Sequence, residues 1–154
     1  MFFSQRNNGA GEKLADFSHL ALSYIFFIKQ NLAAMTNSAK TIHYFSFYLL
    51  LTGLNLLIAP NFLLQTFGLP PTEEVWVRVL GMVVFLLGIY YYGAAREGMH
   101  NWFKLSVFTR LSVPLFFGVF VMLGWAPASL LFFGGVDAAG AIWTYLALKK
   151  EGRF

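Results

Sequence analysis

The chain contains no cysteine among its 154 residues, and only 12% of them are charged. The first absence excludes disulfides, thiolate metal centres and thiol nucleophiles, and it leaves the redox compartment open. The second sits badly with a water-soluble domain, in which about a quarter of residues are charged. Proline is sparse too: four of the five, Pro60, Pro70, Pro71 and Pro127, fall between apolar segments, and Pro114 alone falls within one. No phosphate loop, nucleotide fingerprint, low-complexity tract or internal repeat is present. His19, His43 and His100 are scattered without ligand spacing, so no metal site is expected, and Ser106 has no nearby base for nucleophilic chemistry. With no catalytic constellation, neither an enzyme nor a cofactor is expected.

What is abundant is apolar surface: 58% of residues are hydrophobic, 18 of them Phe, and the mean hydropathy is +0.61. Four apolar segments approach the roughly 20 residues that cross a hydrocarbon core. They run over about 41–58, 75–95, 103–123 and 128–148, linked by stretches too short to hold a domain. Pro60 closes the first, and Pro71 or Thr72 is expected to open the second, with Glu73 and Glu74 favouring its positive end. The fold class expected is all-α: an integral membrane bundle of four antiparallel helices over 41–148, followed by a tail at 149–154.

The formal charge of +4 does not point to nucleic acid, because the cations lie at segment ends. Lys40, Arg96, Lys104, Lys149, Lys150 and Arg153 fall on one side, which the positive-inside rule makes cytoplasmic together with both termini. The expected location is the cell (inner) membrane. Residues 1–40 read as a leader: Leu14, Phe17, Ala21, Tyr24 and Ile28 recur at helical spacing, giving an amphipathic surface helix or a disordered segment. Met35 is an alternative start, since TNSAKTIHYF is an ordinary entry into a first membrane helix.

Polar residues inside the spans are the candidate site. An intramembrane charge is costly enough to need a partner. Asp137 shares a helix face with Leu130, Phe133, Gly134, Gly140, Ala141 and Thr144, a small-residue face that lets a neighbour approach. Arg110 on the third span lies only about four residues, or roughly 6 Å, from the same depth, so an Arg110–Asp137 pair is expected. Pro114 should kink the helix beside it. Nearer the other end, Tyr44, Tyr48, Thr52 and Asn55 share a face, and Arg78 is expected to link with Asn55 and Glu73 or Glu74. Gly81, Gly88, Gly134 and Gly140 read as helix-packing positions, with Gly118.

The stretches WVRVLGMVVFLLG, PNFLLQTFGLPP and GGVDAAGAIWTYLAL resemble those of the DoxX-like group of small bacterial membrane proteins, over Thr41 to Leu148. The resemblance implies a four-helix bundle; some members of the wider group are described as quinol-oxidase accessory subunits, and distant eukaryotic relatives act as membrane chaperones or sterol-binding proteins. Two functions from different classes follow. In the first, an interior lined by Asn55, Arg78, Arg110, Asp137, Tyr48 and Thr144 binds a lipid, quinone or other small amphiphile. In the second, the chain is an accessory or assembly subunit that meets a membrane partner, or its own copy, through small-residue faces. A transporter using Asp137 as its titrating group ranks third, since four helices leave little room for alternating access.

Overall fold

The computed structural model describes Phe17, His19, Leu20, Leu22, Ser23, Ile25 and residues 35–154. The chain divides into two units, Met1–Met35 and Thr36–Phe154. In the first, the six described residues between Phe17 and Ile25 are helical and exposed. Leu14, Ala21, Tyr24 and Ile28 of the expected amphipathic face lie outside the described residues.

The second unit is all-helical: α1 (Asn37–Ile58), α2 (Pro60–Thr66), α3 (Val75–Glu97), α4 (His100–Met122), a 3-10 turn (Ala128–Leu130) and α5 (Leu131–Lys150). Four helices, α1, α3, α4 and α5 with its leading turn, are long and apolar enough to cross a membrane. Lys40, Arg96, Lys104 and Lys149 mark one end of the bundle, the basic end, and α2 lies at the other, the far end.

α1 starts four residues earlier than the apolar run implies, because its first N–H groups find acceptors. Thr36 Oγ1 accepts from the Ala39 N–H at 3.3 Å, and the tail residue Glu151 accepts from the Ser38 N–H at 2.8 Å and its hydroxyl at 2.7 Å. A carboxylate is well suited to this place, where orphan amides and the helix dipole both favour negative charge. Burial alone would raise the Glu151 pKa, but the two Ser38 hydrogen bonds and the nearby His100 and Arg153 charges outweigh it and hold the carboxyl below the ordinary 4.5. Glu151→Ala should therefore lower stability by about 1 kcal/mol at neutral pH, as loss of a helix cap does. Because the folded-state pKa is the lower one, this contribution is complete above the unfolded value and is lost as pH falls through the folded value. Thermal midpoints in detergent should differ between wild type and variant at neutral pH and converge in strongly acidic buffer.

Two other boundaries differ from expectation. PNFLLQT forms α2, with Pro60 at its first turn, where a fixed φ and a missing N–H cost nothing. α3 starts at Val75, not at Pro71 or Thr72, so Glu73 and Glu74 precede the helix rather than fill its first turn. The cause is local: the Thr72 N–H donates to Asn61 Oδ1 at 2.8 Å and the Glu74 N–H to Thr72 Oγ1 at 3.1 Å, which holds residues 72–74 in a turn. The Ser129 hydroxyl donates to the Phe67 carbonyl and ties this loop to the start of α5. α4 runs through Pro114 as one helix.

The four long helices are not equal neighbours. α1 packs along most of α3, α4 along α5, and the two pairs meet chiefly through α1 and α5. α3 and α4 share almost no close backbone contact although only the Gly98 turn separates them. Glycines permit the α1–α3 approach: a Cβ on Gly81 would lie 2.6 Å from the Leu57 nitrogen, one on Gly88 would lie 2.9 Å from Leu50 Cγ, and one on Gly53 would collide with the Phe85 backbone.

Packing is uneven along the bundle axis. Ser38, Ile42, Ser46, Phe103, Val107, Thr144 and Leu148, the most deeply buried side chains, all belong to the basic half. Toward the far end the helices leave space between them.

Candidate functional site

Arg110 sits where the packed half ends, with only 3% of its side chain exposed. Its Cζ lies 3.4 Å from the centre of the Phe45 ring, a close cation–π contact between α4 and α1. On α5 the guanidinium occupies the space that a side chain at position 140 would need, so a larger residue there would have to displace Arg110. Asp137, one turn earlier on α5, places Oδ1 3.6 Å from Arg110 Nε. That separation is an ion contact and too long for a hydrogen bond. None of the three guanidinium nitrogens has an acceptor among the described residues. Arg110 is thus held by charge and by an aromatic face rather than by directional bonds, and both are strong where water is excluded.

Asp137 is less enclosed than its partner, at 15%. It forms part of the wall of a cavity of about 290 Å³ between the two helix pairs. The cavity reaches from Asp137 and Tyr48 to Leu63 and Leu64 of α2 and Phe67 beyond it, with Leu56 of α1, Val84 of α3, Phe117 of α4 and Phe133 of α5 among its walls. Among the described residues Asp137 is the one charged residue in that wall, and Tyr48 and Thr52 add hydroxyl-bearing side chains. Asp137 of α5 and Leu130 of the 3-10 turn before it, which both line the cavity, are seven residues apart, or roughly 10 Å along the axis. The arrangement is an apolar slot with its polar groups toward one end.

The expected site residues separate into three places. Tyr48 and Asp137 line the cavity, and Arg110 stands behind Asp137. Thr144 does not reach the cavity: it accepts a hydrogen bond from Thr41 at 2.9 Å, donates to the Gly140 carbonyl at 2.9 Å, and joins α1 to α5 in the packed basic half. Asn55 and Arg78 lie outside it as well, and the expected link among Asn55, Arg78 and a glutamate does not form. Arg78 instead donates to the carbonyls of Leu57 (2.7 Å) and Ile58 (3.1 Å), while Asn55 Oδ1 is buried without a partner among the described residues. The last carbonyls of α1 have no intrahelical donor, and a guanidinium one helix away is well placed to serve them.

Among the packing glycines, Gly81 and Gly88 face α1, Gly134 faces Pro114, and Gly140 faces Arg110. A side chain at Gly118 would meet open space among the described residues, so that glycine serves no helix contact among them. Sequence reasoning missed Phe45, Gly53 and the whole of α2. Phe45 could have been found, because it precedes Tyr48 by one helical turn and so shares its face.

Comparison with protein-family models, with curated proteins and with solved structures yields no match.

Proposed function

We propose that this chain is a multi-pass protein of the cell (inner) membrane that binds a small amphiphile in the cavity between Asp137 and α2. One observation carries the reading: a mostly apolar space of about 290 Å³ with a single carboxylate, Asp137, among its described walls. Small-molecule sites have this character, with greasy walls and a few polar groups that fix orientation, and their volumes begin near 300 Å³. The cations at the basic end favour its placement in the cytoplasm, which puts the cavity in the outer half of the bilayer. Kinship with the DoxX-like group belongs to the same proposal; the three sequence stretches that resemble it and the four-helix plan support it.

The alternative, an accessory or assembly subunit, drew on the small-residue face of α5. Gly134 and Gly140 on that face are already filled from within the chain, by Pro114 and Arg110, which favours the cavity reading. Native mass spectrometry of the protein released from detergent tests the choice. Wild type should carry a non-covalent lipid-sized adduct, and Leu64→Trp, which fills the cavity from α2, should lose it while keeping its thermal midpoint. Equal retention by both, or a stoichiometric protein partner in place of the adduct, would refute the proposal.

A further inference from the structure

Resting on the cavity reading above, we infer that the occupant carries a neutral hydroxyl head, inserted head-first against Asp137 with its tail toward α2. The polar groups decide this by their order. Arg110 is absent from the cavity wall: its guanidinium lies behind Asp137, between the Phe45 ring and the Gly140 backbone. An incoming head group therefore meets the carboxylate, not the cation, although the pair as a whole is neutral.

Each charged head fits poorly. An anionic head would bring a second negative charge to the Asp137 carboxylate in a mostly apolar wall, where little screens the repulsion. A cationic head would place one carboxylate between two cations and leave a net positive charge buried, with Arg110 unable to release its proton. A hydroxyl donates to the carboxylate without disturbing the Arg110 contact, and Tyr48 and Thr52 in the same wall can donate to the oxygen of the head. Beyond that end the walls offer only apolar side chains such as Leu56, Val84 and Phe133, which suit an alkyl tail.

Three probes with the same tail and different heads test the inference: decanol, decanoate and decylamine. Each is titrated at mildly alkaline pH into the full chain in maltoside micelles and read by native mass spectrometry and thermal midpoint, with Leu64→Trp as the filled-cavity control. Decanol should bind wild type at least about tenfold more tightly than either charged probe, a difference near the 1.4 kcal/mol that corresponds to tenfold. It should show no such preference with Leu64→Trp. If decanoate or decylamine binds as tightly as decanol, the hydroxyl inference is overturned while the cavity reading stands. If no probe binds wild type better than Leu64→Trp, both fall together.

Discussion

Replacing Gly81 by leucine is expected to leave little folded protein in detergent, whereas Gly93→Ala, further along the same helix, leaves the thermal midpoint unchanged or slightly raised. The contrast follows from what each Cβ meets. At Gly81 it would lie 2.6 Å from the Leu57 nitrogen and 2.8 Å from the Leu56 carbonyl carbon, and at Gly93 it meets nothing within 4 Å. Side chains can rotate away from an intruder, but the α1 backbone can yield only if the helix moves, and α1–α3 is the most extensive contact in the fold. Overpacking a core ordinarily costs 1–3 kcal/mol, so Gly81→Ala should fall in about that range and Gly81→Leu beyond it. At Gly93 the change removes only the intrinsic disadvantage of glycine in a helix, about 1 kcal/mol at most. Fluorescence-detected size exclusion and thermal midpoints check both. A monodisperse Gly81→Leu variant with a wild-type midpoint would show that α1 and α3 are not packed as described.

The fold was legible because bilayer length and helical periodicity both leave marks on composition. Four apolar runs each near 20 residues admit few arrangements, and the Arg110–Asp137 contact followed from counting depth along two antiparallel helices. Depth counting has a limit that Arg78 exposes. It finds which residues are level, but not that the carbonyls ending α1 compete for the same guanidinium, since every helix end offers such carbonyls whatever its sequence. Glu151 was out of reach for another reason: it caps α1 through Ser38, 113 residues earlier, and no local pattern marks a cap supplied from the far end of the chain. The cavity itself was not readable, because it arises from where α2 and the helix pairs fail to fill space. α2 spans only seven residues, too few for a period to show.

Removing either member of the central pair should destabilise the bundle by about 3–5 kcal/mol, and removing both should cost clearly less than the sum, because breaking a buried ion pair strands a charge while deleting the pair strands none. The two single variants are not equivalent. Asp137→Leu leaves a guanidinium that is 3% exposed and has no acceptor on any nitrogen among the described residues, and arginine stays charged whatever the pH. Arg110→Met leaves a carboxylate that borders the cavity, so the order of stability is expected to be wild type, then Arg110→Met, then Asp137→Leu. In the double variant methionine can keep the contact with Phe45, and leucine at position 137 has the cavity to extend into, so most of the lost stability should return. Unfolding free energies in mixed micelles give the coupling directly, and additive single effects would mean that the 3.6 Å contact carries no energy. The same double variant separates two roles that the pair combines. A purely structural clamp would let it recover amphiphile binding along with stability, whereas a head-group site at Asp137 predicts a stable bundle that no longer discriminates decanol from decanoate.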